Sequence, residues 1–361
     1  MKILFVSHSA VLKEHQQKLA ILAEKFGHEV WLCMPPHWPE GGVDIQAYTG
    51  DEKLHYIIGN VFYPKKTVHL YLNAGAIVRK INPDIIHVEE EPYDLAALQF
   101  IHEAKRRGKK ALFFTWENLR RGYNLVYTYC NNHSLLYADA AIAGNQEAKD
   151  ILLEKKFAKP VEIIPQYGVN LEDFKPKKHR HDTGTFNVAY IGRLIAEKGL
   201  AHLVSACACV PNAVLHLAGT GNMEKVLNGL IKHFKLEERV KFYGHVKRQA
   251  VPDFLLNMDC LVLPSITTEL WKEQFGRVII EAFAAGVPVI GSDSGAIPEV
   301  IGKAGLIFKE CDTQGLAAQI KKLSEDNVLY KDLQTKGLAR VKENYTNEVI
   351  ALKINNMYKV L

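Results

Sequence analysis

The chain has 361 residues, 48% hydrophobic and 24% charged, with a formal net charge of +5. These values exclude a disordered polymer and suit two domains of roughly 150 to 200 residues each better than one core. A sequence pI near 8.7 agrees with an anionic ligand or an anionic membrane surface and demands neither.

In chain order, Ile3–Val6 is a short apolar strand, and Glu14–Phe26 carries apolar residues at helical spacing until Gly27 stops it. The N-terminal apolar run is too short for a signal peptide, and no stretch approaches the roughly 18 apolar residues of a membrane span. Strand and helix then alternate through Val30–Cys33, Ile85–Val88, Tyr93–Arg107, Ala111–Thr115, Ala140–Ala143, Gln146–Lys156 and Glu162–Ile164. That pattern predicts a doubly wound α/β domain over residues 1–170. The polar, basic stretch after Gly168, interrupted by Pro176, predicts a linker at 171–185.

A second alternating series over 186–345 comprises Asn187–Ile191, Gly199–Cys209, Val214–Leu217, Met223–Phe234, Val240–Tyr243, Cys260–Leu263, Gly276–Ala285, Val287–Ile290 and Thr313–Lys322. The amphipathic segment 346–361 is expected to pack back on the first domain. Two Rossmann-like domains are expected to face each other across a cleft, with ligands beyond the carboxyl ends of the strands. Cys33, Cys130, Cys207, Cys209, Cys260 and Cys311 form no CxxC pair and no metal-like spacing with histidine. A reduced, cytoplasmic chain with no metal site follows.

The densest chemistry lies in Trp271–Glu299. Glu273 and Glu281 stand eight residues apart around a helix predicted to open at Gly276. A helix opening offers unpaired N–H groups to a phosphate, and flanking carboxylates suit hydroxyls, so a nucleotide sugar fits. Glu281 sits in an otherwise apolar helix and needs a partner or a ligand, a salt bridge or a ribose diol. Arg193 and Lys198 share the loop after the second domain's first strand, where two cations can hold a diphosphate or simply be solvated.

These features, with Phe242–Val246, Asp259–Ser265 and Pro298–Ile301, resemble the family-4 glycosyltransferases of the GT-B fold over most of Asn187–Gly305. The first domain resembles them more loosely, through strand order and Ile163–Asn170. The resemblance implies a retaining, metal-independent hexosyltransferase that takes a UDP-, GDP- or ADP-type sugar as co-substrate, without another cofactor. Glu273 would bind donor-sugar hydroxyls, Glu281 the ribose, and the backbone of Phe275, Gly276, Arg277 and Val278 the distal phosphate. Arg193 and Lys198 would neutralise the leaving diphosphate; Gly192, Gly219 and His245 would lie near the donor. The resemblance implies a reaction on one face of the sugar, with the leaving phosphate taking the acceptor proton, so no nucleophile is named, and the chain contains no Asp-x-Asp.

The first domain departs from the family. Its first loop, Ser7–His15, is not glycine-rich, which leaves His8 and Ser9 as acceptor candidates. Glu117 stands where many members have histidine near the reacting carbon, either as a catalytic carboxylate or as a helix-start charge. Glu89, Glu90 and Glu91 suit either acceptor hydroxyls, for which Glu89 and Glu90 are singled out, or the first turn of the next helix. Gln274 replaces a usual glycine. Basic runs at Lys105–Lys110 and Arg120–Arg121 beside Tyr123–Tyr129 fit a peripheral membrane contact with a lipid-linked acceptor, or a solvated face. Glycan and small-molecule acceptors fit equally, and no nucleic-acid partner is expected. Alternatives are a nucleotide-sugar 2-epimerase-like isomerase and a catalytically silent nucleotide-sugar binding protein. A nicotinamide oxidoreductase fits worst, because Gly219–Asn222 lacks the third glycine.

Overall fold

The computed structural model describes residues 1–40, 43–65, 68–177 and 184–361. The chain divides into two compact units, Met1–Tyr167 with Asn347–Leu361, and Gly168–Thr346. Both are α/β, with parallel sheets.

The first unit begins with β1 (Lys2–Val6), α1 (Lys13–Phe26) and β2 (Glu29–Met34). An insertion follows, made of β3 (His37–Glu40), β4 (Val43–Gln46), β5 (His55–Ile58), β6 (Val61–Lys65) and β7 (Val68–Tyr71). Alternation resumes with α2 (Ala74–Ile81), β8 (Ile85–Val88), α3 (Leu95–Arg106), β9 (Lys110–Thr115), α4 (Leu125–Tyr137), β10 (Ala140–Ala143), α5 (Gln146–Glu154) and β11 (Val161–Ile163). The seven-stranded sheet runs β11-β10-β9-β8-β1-β2-β5, and every pairing in it is parallel. Phe5, Leu32 and Ile142 pack one face of this sheet, and Val6, Val88 and Phe113 the other. Both faces are therefore core, which explains why its strands read as continuous apolar runs. β3–β4 and β6–β7 are antiparallel pairs outside the sheet. β3 and β6 contain Pro39 and Pro64, and all four strands are only four or five residues long, too short for alternation to stand out.

The second unit comprises β12 (Phe186–Ile191), α6 (Leu200–Ala208), β13 (Ala213–Ala218), α7 (Glu224–His233), β14 (Val240–Gly244), α8 (Val251–Leu256) and β15 (Cys260–Leu263). It continues with α9 (Arg277–Ala284), β16 (Val289–Ser292), α10 (Ile297–Ile301), β17 (Leu306–Phe308), α11 (Thr313–Glu325) and α12 (Asn327–Asn344). Its parallel sheet runs β14-β13-β12-β15-β16-β17. α12 escaped the periodicity reading because its buried stripe, Tyr330, Leu333, Gln334, Gly337 and Val341, includes a glutamine and a glycine. Gly337 is small for a reason: a Cβ there would fall 2.7 Å from Phe283 Cδ1.

Of the expected linker, residues 178–183 lie outside the described residues. Before them, Leu171–Asp173 is a single 3-10 turn and Lys177 is buried, its Nζ 2.9 Å from Asp259 Oδ1. That entry to the second unit is therefore anchored, not loose. The last helix, α13 (Asn347–Lys359), packs on α1 in the first unit; Asn355 Oδ1 lies 2.8 Å from His28 Nε2.

Strand order fixes where chemistry can sit. In the first unit β1 leads to β2 on one side and lies against β8 on the other; in the second, β12 lies between β13 and β15. Each is a topological switch point, where loops diverge beyond the strand ends and leave a crevice.

Candidate active site

At the second unit's switch point, the loop after β12 carries Gly192, Arg193 and Lys198, and the loop after β15 carries Glu273. Lys198 Nζ is 2.5 Å from Glu273 Oε2, which also accepts the Ser265 hydroxyl at 2.8 Å. The Lys198 ammonium stands 4.7 Å from the Trp271 ring centroid, a cation–π distance. Glu273 is buried, so its charge depends on these donors. Arg193 is exposed, and its carbonyl accepts the Tyr190 hydroxyl at 2.7 Å.

Gly276 caps α9 with φ of +75°; a Cβ there would meet Leu263 Cδ2 at 2.7 Å. The first turn of α9 thus starts hard against the end of β15, with Phe275 buried behind it and Val278 half-buried. Helix-start N–H groups lie outside the helix's own ladder and favour an anion. Glu281, one helical turn past Arg277, has Oε1 3.1 Å from Arg277 Nε. Burial raises the Glu281 pKa, and the Arg277 guanidinium offsets part of that rise. The beginning of α9 is therefore flanked by two buried carboxylates, each already facing a cation.

Gly192 and Gly219 end β12 and β13 backbone against backbone. Gly219 has φ of +148°, and a Cβ on it would fall 1.7 Å from Gly192 O. His245 is exposed in the turn after β14. Gln274 is half-buried beside Glu273.

The first unit's switch point holds a buried charge cluster. The His8 N–H donates to Glu90 Oε1 at 2.7 Å and His8 Nδ1 pairs with Glu90 Oε2; His69 Nε2 is 3.6 Å from Glu90 Oε1. Burial opposes both charges, yet the pair wins: the His8 pKa is raised and that of Glu90 lowered. Glu89 pairs with Lys18 and accepts the Ser7 hydroxyl at 3.0 Å. Ser9 Oγ contacts Ser7 Oγ at 3.1 Å and accepts from Gln166 Nε2 at 3.1 Å. Glu91 accepts from Thr115 Oγ1 at 2.6 Å and Trp116 N at 2.8 Å, and burial still pushes its carboxyl up to about 7. Burial, reinforced by Glu90 and Glu91, pushes Asp94 up to about 8.

The glutamate run thus follows directly on the end of β8, and is not the charged first turn of a helix. α3 begins four residues later, and burial sets each carboxylate against an internal partner. Glu117 adjoins it: the Glu117 N–H donates at 3.0 Å to Thr115 Oγ1, which donates to Glu91, and the Glu117 charge helps raise Glu91; Lys155 Nζ lies 2.5 Å from Glu117 Oε2, and the Tyr123 hydroxyl donates to Oε1.

A family model described as "Glycosyl transferases group 1" matches residues 172–340, nearly all of the second unit. That match makes the second unit similar to the group 1 glycosyl transferases. N-acetyl-alpha-D-glucosaminyl L-malate synthase of Bacillus anthracis is 35% identical over 149 residues, 41% of this chain and 37% of that protein. Between about one third and two thirds of the length of the curated relatives first matched is spanned. Among solved structures, Anabaena HepE in complex with UDP superposes over 100% of both chains, with TM-score 0.75 and 18% identity. The sucrose-phosphate synthase of Thermosynechococcus elongatus covers 99% of this chain and 98% of its own, with TM-score 0.73 and 20% identity. The fold is therefore GT-B, two Rossmann-like units in one chain.

The second unit gathers Gly192, Arg193, Lys198, Gly219, Glu273, Phe275–Val278 and Glu281 around one end of its sheet. His8, Ser9, Glu89 and Glu90 meet at the end of the first unit's sheet, and Glu117 joins them through Thr115 and Glu91. Sequence reasoning missed Ser265 and Trp271, which hold Glu273 and Lys198, and Lys18, His69 and Asp94 in the other cluster. Lys18 left a trace, a lysine on the buried face of α1. His69 left none, because it comes from the insertion.

Proposed function

We propose that the chain is a retaining, metal-independent glycosyltransferase that moves a hexose from a nucleoside diphosphate sugar to an acceptor hydroxyl. The second unit takes the donor and the first unit the acceptor. The observation that carries the reading is the pair of buried glutamates, Glu273 and Glu281, flanking the start of α9 with Lys198 at 2.5 Å from the first of them.

In this reading, Glu273 and Gln274 meet the sugar hydroxyls and Glu281 the ribose diol, while the α9 start takes the distal phosphate. Gly192 and Gly219 let the nucleotide approach strand ends that bear no side chain, and His245 lies beside the base. Arg193 and Lys198 balance charge that grows on the leaving diphosphate; losing one such group costs about 3 to 4 kcal/mol of barrier. Glu117, held by Lys155 and Tyr123, contacts the acceptor or the reacting sugar, with His8, Ser9, Glu89 and Glu90 on the acceptor side.

A UDP-type donor is supported by the UDP complex of the neighbouring HepE structure. Leu125, Val126, Tyr129 and Leu136 are exposed on α4 near Arg120 and Arg121, which supports a peripheral contact with an anionic membrane. Six free thiols support a reducing compartment.

The test is incubation with UDP-, GDP- and ADP-glucose and UDP-N-acetylglucosamine, reading released nucleotide and the anomeric configuration of the product. One donor should be consumed with retention, and Glu273→Ala should abolish that turnover. If no donor is bound or turned over, the transferase reading is lost; a donor returned as its epimer supports an isomerase instead.

A further inference from the structure

We infer that Trp271 is a positioning residue of the donor site: it keeps Lys198 in place once a donor sugar has drawn Glu273 away from it. This rests on the donor reading of the second unit given above and involves that unit alone. Among the described residues the Lys198 ammonium meets two groups, the Glu273 carboxylate at 2.5 Å and the Trp271 ring at 4.7 Å from its centroid. The Lys198 side chain is only 13% exposed, so both contacts are largely shielded from water. Ser265 donates to the same Glu273 oxygen at 2.8 Å, so that oxygen is already shared.

Glu273 and Lys198 cannot both keep this pairing and serve a nucleotide sugar. Sugar hydroxyls compete for the Glu273 oxygens, and a diphosphate competes for the Lys198 ammonium. The backbones that carry the two side chains have little room to adjust. A Cβ on Gly199 would fall 2.0 Å from Pro264 O, and Ile266 N donates to Glu197 O at 2.8 Å, so the turn bearing Lys198 is fixed to the chain just past β15. Ala296 N donates to Glu273 O at 3.0 Å. Trp271 is tied to Thr268 in both directions, Thr268 N to Trp271 O at 2.8 Å and Trp271 N to Thr268 Oγ1 at 3.0 Å. The part left to move is the Lys198 side chain, a flexible stem whose freedom is costly to lose.

A neutral ring suits the task of holding that stem better than a further charge would. An aromatic face attracts an ammonium without carrying net charge, so it does not repel an arriving diphosphate as another carboxylate would. Before a donor binds, the ring is redundant, because Glu273 already fixes Lys198. Once sugar hydroxyls occupy Glu273, the ring keeps the ammonium at the diphosphate and out of solvent. Its effect therefore falls on turnover of the nucleotide sugar. Binding of the bare nucleotide leaves Glu273 free to go on holding Lys198, and should depend on the ring far less.

The experiment measures nucleotide release from UDP-, GDP- and ADP-glucose and UDP-N-acetylglucosamine, and calorimetric binding of UDP, GDP and ADP, for the unaltered chain, Trp271→Leu, Trp271→Met and Trp271→Phe. Melting curves show which variants are folded, and Trp271→Met takes the place of Trp271→Leu if the latter is not. Removing the ring should slow release from the donor that is consumed by about tenfold, the scale of a desolvated cation–π contact, while its nucleotide binds within about threefold of the unaltered chain. Trp271→Phe keeps an aromatic face and should release within about threefold of the unaltered chain. Undiminished release without the ring, equal losses in Trp271→Leu and Trp271→Phe, or nucleotide binding weakened as much as release is slowed, overturns the role of Trp271 and leaves the transferase reading intact. No release by the unaltered chain from any donor in the panel overturns both.

Discussion

Gly219→Ala and Gly229→Ala are the same chemical change with opposite expected signs. At Gly219 a methyl would stand 1.7 Å from Gly192 O and 2.8 Å from Gly192 C, against an ordinary separation of about 3.5 Å. The ends of β12 and β13 would have to part by more than an ångström, which strains Gly219 N→Gly244 O at 2.7 Å and Gly192 N→Ala218 O at 2.9 Å. Backbone strain at this φ costs roughly 1 to 3 kcal/mol, overpacking about 1 to 3 and one weakened hydrogen bond about 1. The sum is about 3 to 7 kcal/mol. Gly229 lies inside α7, and a methyl added there would meet nothing within 4 Å, so alanine should gain about 0.5 to 1 kcal/mol. Urea unfolding followed by far-UV circular dichroism measures both. Gly219→Ala within about 1 kcal/mol of the unaltered chain, or a loss at Gly229→Ala, would refute the steric account of the strand ends.

Lys177→Met should destabilise by about 3 to 5 kcal/mol, because it strands Asp259 as a buried, uncompensated charge; thermal melting of Lys177→Met and of the Lys177→Met/Asp259→Leu pair separates charge from packing, and the double variant should recover much of the loss. His216 is pulled down to about 4, first by burial and then by Lys241, while Asn187 and Tyr243 hold its ring nitrogens. Its folded pKa lies below the unfolded value near 6.5, so its contribution is full above that pH and is lost as pH falls toward 4. Allowing for partial solvent access, the loss is on the order of 2 kcal/mol. Melting temperatures measured between about pH 7 and pH 4.5 should fall less steeply in His216→Gln than in the unaltered chain; equal slopes contradict the assignment.

The fold class was legible because both sheets are covered on two faces and their strands are short, continuous apolar runs, as in Ile85–Val88 and Ala140–Ala143. Elements stabilised by tertiary contact were not: β3, β4, β6 and β7 are only four or five residues long, with Pro39 and Pro64 among them, and α12 buries Gln334 and Gly337. Pro288 has no N–H, and β16 accordingly begins at Val289, two residues beyond the apolar run's start. In the second unit, a glutamate inside the apolar helix α9 signalled itself because charge there needs a partner. The Lys198–Glu273 contact joins residues 75 positions apart and has no local signature. The three glutamates after β8 were ambiguous for the same reason: whether a carboxylate is solvated at a helix start or buried against Lys18 and His8 depends on neighbours far along the chain.

The most direct test of a donor site built on Lys198, Glu273 and the start of α9 is calorimetric titration of UDP and UDP-glucose into the unaltered chain and Glu273→Ala. UDP-glucose should bind more tightly than UDP to the unaltered chain, and Glu273→Ala should erase that difference while leaving UDP itself bound. Equal affinities for both ligands in both proteins, or no binding of either, would contradict the account.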